Sequence, residues 1–132
     1  MAQKFLESLD HIQIPVVDVE QSIEWYTKHL GFYLHGRPHH NDMAFLCLDR
    51  VEDPDVRPLF LLWKTNEQTH IHFSKDGNNM PVLCFRTRHI KALRDTLLQA
   101  NVEIARFVDE GWAYCMDFYD LNGNLINVTE YK

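Results

Sequence analysis

The sequence predicts an α+β protein in which two βαβββ modules form a curved, mostly antiparallel sheet around a cleft. Three observations predict it. Apolar runs of strand character are interrupted by only two segments of helical periodicity, residues 19–30 and 89–100. The order strand, helix, strand, strand, strand is read twice, about 70 residues apart. Neither half alone covers its own sheet face, whereas two together can bury one. The 132 residues are read as a single domain, with module one at about 9–63, a linker at about 64–79 and module two at about 80–130.

In module one, Leu9 to Val17 reads as the first strand. Ile12, Ile14 and Val16 share one face, and His11 and Gln13 the other. Pro15 suits an edge strand or a strand end, since it donates nothing to a ladder. Asp18 is an N-cap, its carboxylate placed to accept from the free amides of the first helical turn. Val19, Ile23, Tyr26 and Leu30 follow at helical spacing, and Gly31 is the residue after the helix, where a left-handed backbone costs glycine little. Trp25 and Tyr26 fit the helix packing face. Phe32–His35, Met43–Leu48 and Leu59–Trp63 are the next strands. The breaker-rich GRPHHND separates the first two. DRVEDPDVRP, with a type I turn at Asp53-Pro54-Asp55, separates the last two.

The linker is polar, with a short strand at Thr69–Phe73 and a turn at Asp76-Gly77-Asn78. Module two opens with a strand at Met80–Thr87. A helix follows at His89–Ala100, with Ile90, Leu93, Leu97 and Leu98 on one side and Asn101 in the place of Gly31. Strands at Val102–Phe107 and Trp112–Tyr119, the tight turn DLNGN and a last strand at Leu125–Glu130 complete it. Between the halves, His11 corresponds to Val82, Ile14 to Phe85, Val19 to Ile90 and Asp53 to Asp120.

Net charge is −6, which argues against a nucleic-acid partner, because that would require a basic face. No stretch reaches the ~18 apolar residues of a membrane span, and the amino terminus has no apolar signal segment. Cys47, Cys84 and Cys115 are an odd number inside apolar runs, as expected of buried free thiols in a reducing compartment. A cytoplasmic protein is the expectation.

LDHIQIPVVDVEQSIEWYTKHLGF near the start and FYDLNGNLINVTE at the end resemble the vicinal oxygen chelate superfamily, which includes glyoxalase I, fosfomycin and bleomycin resistance proteins and extradiol dioxygenases. The first stretch is similar to the family's strand and its S-x-x-W/F-Y helix closing in L-G-F. The second is similar to its D-P-D-G-N hairpin. The resemblance implies the glyoxalase/bleomycin resistance/dioxygenase fold from about Leu9 to Glu130, and a homodimer. It also implies four inward positions that hold a divalent ion in metal-using members. Here these fall on His11, Leu61, Val82 and Asn127. Only His11 is an ordinary ligand. Leucine and valine have no lone pair to offer, and a neutral amide is a weak donor. Glu130 lies three residues beyond Asn127, so strand parity turns it away. No cofactor is therefore expected. A divalent metal stays open through His11 with His70 or His72, which alternate on the expected short strand, and the loop pair His39 and His40 is a further source of imidazoles.

From those inward positions, parity gives a cleft lined by His11, Gln13, Leu59, Trp63, Cys84, Arg86, Leu125, Asn127 and Thr129. Gln13, Trp63, Cys84, Arg86, Asn127 and Thr129 are the candidate ligand-binding residues, and His11 the candidate catalytic residue, a general base if a substrate reaches it. Cys84 is a nucleophile only if a cation lowers its pKa; Arg86 lies about 7 Å along the same face. Trp112 follows Gly111 and is read as an edge of the cleft. An apolar floor with a few convergent polar groups suits a small, partly polar organic molecule. The first functional reading is a metal-independent small-molecule binder. The second is a metal-dependent lyase or dioxygenase of the superfamily using His11 and non-standard ligands. The third is a structural or regulatory module with a filled cleft.

Overall fold

The computed structural model describes residues 3–38, 41–49 and 52–132. Contacts divide the chain into two compact units, one ending at Thr65 and the other beginning at Asn66.

Unit one runs β1 (His11–Val16), α1 (Val19–Leu30), β2 (Tyr33–Gly36), β3 (Met43–Cys47) and β4 (Leu59–Lys64). Its sheet has the order β1-β4-β3-β2, with β1 parallel to β4 and the other pairs antiparallel. Pro15 therefore lies on an edge strand, where a residue without an N–H is tolerated. Asp18 caps α1 as expected: its Oδ1 accepts from the Gln21 amide at 2.9 Å. Gly31 ends the helix at φ 76°. The inward face of α1 buries Val19, Ser22 and Tyr26. Tyr26 meets Phe32 edge-on at 5.4 Å, and Phe32 meets Phe60 of β4 at 5.1 Å, so aromatic edges tie helix to sheet. Trp25 is only half-buried.

Unit two runs β5 (Phe73–Lys75), β6 (Asn78–Met80), β7 (Leu83–Arg86), α2 (Ile90–Gln99), β8 (Ile104–Asp109), β9 (Ala113–Tyr119) and β10 (Leu125–Tyr131). Its four-stranded sheet has the order β7-β10-β9-β8, again with the first strand parallel to the last. The registers confirm the internal repeat: Gln13 lies beside Leu61 in unit one, and Cys84 beside Asn127 in unit two. Each unit thus has a ladder of its own.

Three departures from the expected elements have local causes. The segment read as a linker contains a β-hairpin, β5–β6, in place of a strand at Thr69–Phe73. Asp76 (φ 51°) and Gly77 (φ 80°) both adopt left-handed backbone, the two-residue turn that matches strand twist. The strand expected from Met80 is split: Met80 closes the hairpin, Pro81 cannot donate, and β7 starts at Leu83. The strand expected from Val102 starts at Ile104, because Val102 N donates to Leu97 O and Asn101 N to Leu98 O, closing α2 with Asn101 at φ 60°. At the other end of α2, His89 makes no side-chain cap. The Glu130 carboxylate on β10 supplies it, accepting from Ile90 N at 2.8 Å. This fixes Glu130 on the helix side of the sheet, as parity required.

The DLNGN turn is a polar knot. Asp120 Oδ1 accepts from the amides of Asn122 (2.7 Å) and Asn124 (2.9 Å), and its Oδ2 from Asn124 Nδ2 (2.9 Å). Asn124 Oδ1 in turn accepts from Ile71 N at 2.9 Å, which pins the approach to β5. The matching Asp53 accepts from Asp55 N at 2.8 Å, so the repeat reuses one turn device. Gly123 is required twice over. Its φ is +83°, and a Cβ there would lie 3.1 Å from the His70 ring. Gly123→Ala is expected to cost about 1–3 kcal/mol in urea unfolding. Gly77→Ala, at φ +80° with open space around it, should report the backbone share alone, and adding His70→Ala to Gly123→Ala should recover the difference.

Candidate functional site

In β10, Ile126, Val128 and Glu130 belong to the α2 side of the sheet, so Leu125, Asn127 and Thr129 belong to the other. Register sets Asn127 between Cys84 of β7 and Asp117 of β9, and Asp117 beside Arg106 of β8. The result is a polar row across all four strands. Asn127 Nδ2 donates to Asp117 Oδ1 at 2.8 Å, the Thr129 hydroxyl donates to Asn127 Oδ1 at 2.9 Å, and Arg106 Nε stands 3.5 Å from Asp117 Oδ2. Asn127 and Asp117 are both buried, and a buried amide or carboxylate is tolerable only with such partners.

Over this row lies a half-open cavity of about 740 Å³. Its wall is Cys84, Asn127, Asp117 and Arg106 with Tyr119 and Leu125, and its rim is the hairpin from Gly77 to Met80 with Pro81. The volume suits a small organic ligand.

Among the residues chosen from sequence, Cys84 and Asn127 line this cavity. Thr129 lies one row along, holding Asn127. Arg86 sits beside Thr129, and its guanidinium stacks 5.0 Å from the Tyr131 ring rather than turning to Cys84. Cys84 is exposed, against the expectation of a buried thiol, because it borders the cavity. Its pKa is raised, first by partial burial and then by the negative charge of Asp117, so it is not an activated nucleophile. Gln13, Trp63 and His11 belong to unit one. Trp63 Nε1 donates to Gln13 Oε1 at 2.6 Å, so the two satisfy each other. His11 Nδ1 and Asp10 Oδ2 are 2.7 Å apart, and Arg57 Nε donates to Asp10 Oδ1 at 2.8 Å. Arg57 first, then His11, holds the Asp10 carboxyl below its ordinary value. Trp112 is exposed and packs against Tyr131.

His70 and His72 are not on a strand. They precede β5 with their rings stacked 6.5 Å apart. The Asn124 bond to Ile71 N holds this stretch in place of a strand ladder. His39 and His40 lie outside the described residues. Among the described residues, no three His, Cys, Asp or Glu side chains are gathered to hold a metal ion. Three of the four positions at which the resemblance implies an ion offer little to hold one. Leu61 is buried hydrocarbon, Val82 is exposed hydrocarbon, and the Asn127 amide already donates to Asp117 and accepts from Thr129.

Sequence reasoning missed Asp117, Arg106, Tyr119 and the hairpin rim. Asp117 did carry a signal, a lone carboxylate within the apolar run WAYCMDFY.

Family comparison agrees with this fold. Residues 8–128 match the model of the Glyoxalase/Bleomycin resistance protein/Dioxygenase superfamily, and the chain belongs to that superfamily. Similar solved structures include an integron cassette protein from the mobile metagenome of the Halifax Harbour sewage outfall (24% identity, TM-score 0.67, 95% of this chain and 99% of that one). Another is TnmS3, an antibiotic binding protein from Streptomyces sp. CB03234 (17%, 0.68, 98% and 100%). A third is a lactoylglutathione lyase from Agrobacterium tumefaciens (12%, 0.66, 96% and 96%). At these identities the likeness concerns the fold. No curated protein matches. No described helix is long and apolar enough to cross a membrane.

Two measurements check the electrostatics. Alkylation of Cys84 by iodoacetamide, followed on its own peptide by mass spectrometry, should be slow at pH 7; Asp117→Asn should shift its rate profile to lower pH, since the raising charge is gone. Asp10 is depressed in the folded state, so its contribution to stability is full above its unfolded pKa and is lost as pH falls through the folded one. Arg57→Ala should move the Asp10 carboxyl titration, read by carbon NMR, upward.

Proposed function

We propose that this protein binds a small, partly polar organic molecule in the unit-two cavity, without the divalent ion its superfamily commonly uses. The observation that carries this reading is the polar row Cys84–Asn127–Asp117–Arg106 forming one wall of a half-open cavity of about 740 Å³, with Met80, Pro81, Tyr119 and Leu125 giving apolar surface beside it. An apolar enclosure contributes affinity by removing ligand surface from water, and the row supplies orientation through directional bonds. The residues at the family's metal positions support a metal-free mode, since leucine, valine and a doubly bonded amide give an ion no shell. The antibiotic binding protein among the similar structures supports the same class of activity.

A second reading, an enzyme of the superfamily in which His11 is a general base, has one observation in its favour. Asp10 orients the His11 ring through Nδ1, as catalytic imidazoles are commonly oriented.

Calorimetry against a panel of aromatic and heteroaromatic compounds, with and without EDTA, tests the proposal. The expected result is a binder whose affinity is unchanged by EDTA and by His11→Ala, and which slows Cys84 alkylation at saturation. Affinity that needs added metal, or binding that leaves Cys84 fully reactive, overturns it.

A further inference from the structure

The cavity wall contains one charge that its neighbours leave incompletely served. Asp117 is 8% exposed in the middle of β9. Its Oδ1 accepts from Asn127, but its Oδ2 accepts no hydrogen bond among the described residues, and the nearby Arg106 brings Nε only to 3.5 Å. Arg106 is itself divided, since its Nη1 lies 3.9 Å from Glu110 Oε1. One guanidinium therefore stands between two carboxylates and is at close hydrogen-bond distance from neither.

The two signs also differ in screening. The Arg106 side chain is 48% exposed and that of Asp117 11%, so water weakens the cation's field far more than the anion's. The negative charge reaches across the sheet, where it helps to raise the Cys84 thiol. A carboxylate so little exposed as a whole, with Oδ2 still accessible, gains from a donor that reaches that oxygen. Apolar surface is present beside it, from Leu125, Met80, Pro81 and Tyr119, with Asn78 and Asn79 at the hairpin rim.

We propose that the ligand of this cavity carries a cationic nitrogen on an apolar, ring-sized body, and that Asp117 is the group that receives the nitrogen. This rests on the reading of the cavity as a binding site and names the chemical class it selects. The ligand N–H donates to Asp117 Oδ2. Arg106, relieved of that contact, remains with Glu110. The apolar body lies against Leu125, Met80 and Tyr119. A neutral isostere makes a weaker bond to the same oxygen, and an anion meets a like charge there.

A matched series tests this: 2-naphthylmethylamine, 2-naphthalenemethanol and 2-naphthoate. Binding is measured by calorimetry, and its location by methyl NMR shifts of Met80 and Leu125. The amine should bind at least ten-fold tighter than the alcohol, with the carboxylate weakest. Asp117→Asn should bring the amine down to the level of the alcohol. Arg106→Ala leaves the buried carboxylate in place and removes its competitor, so it should tighten the amine several-fold. This second variant keeps the test decisive if Asp117→Asn perturbs folding. Equal binding of amine and alcohol with shifts at Met80 and Leu125 overturns this inference and leaves the cavity reading standing. So does tightest binding by the carboxylate, or an amine weakened by Arg106→Ala. If none of the three moves those methyls, the cavity reading itself falls.

Discussion

The bond from Asn124 to Ile71, with Asp120 behind it, is the constraint from which unit two follows. Asn124 is completely buried and Asp120 nearly so. Asp120 gathers the turn amides onto its carboxylate, which sets where β9 stops and β10 starts. That register places Asn127 opposite Asp117 and no other residue. A slip of one position would turn Asn127 into the α2 side and bring Ile126 or Val128 out. The same knot holds Ile71, and through it the approach to the β5–β6 hairpin that rims the cavity. A single polar cluster in a tight turn therefore determines both the floor and the rim of the site.

Unit one is stabilised by different means. Its turn at Asp53 repeats the carboxylate-to-amide device without a buried asparagine behind it. Order comes instead from α1, whose cap at Asp18 and stop at Gly31 fix its length, and from the Tyr26–Phe32–Phe60 series of ring edges. Such edge-on pairs contribute about 0.5–1.5 kcal/mol each beyond their buried area. The polar groups on the far side of β1 are matched locally, Gln13 with Trp63 and His11 with Asp10. In unit two, Cys84, at the position that corresponds to Gln13, opens onto a cavity together with Asn127. Similar modules have thus diverged in what their sheet faces do.

Asn127 makes the polar row of unit two continuous. Its amide bridges Thr129 and Asp117. A carboxylate at that place would face Asp117 directly and repel it. The amide supplies both a donor and an acceptor, so hydrogen bonds join the row across the strands.

What the sequence by itself determined is what short-range physics encodes. The period-two runs, the Asp18 cap and the left-handed stops at Gly31 and Asn101 are each set by neighbours along the chain, and they were legible together with the βαβββ repeat. Strand parity was enough to put Asn127 on the side opposite Glu130, because alternation is a property of one strand. Tertiary structure decided the rest. The partner of Asn127 depends on the β9–β10 register, the cap of α2 comes from a strand 40 residues away, and Arg86 turns to Tyr131 because β10 brings that ring beside it. The hairpin was visible only as a turn signal, and its role as a cavity rim depends on the Asn124–Ile71 bond across 53 residues. Local patterns specify which faces exist; only long-range pairing decides which side chains on those faces meet.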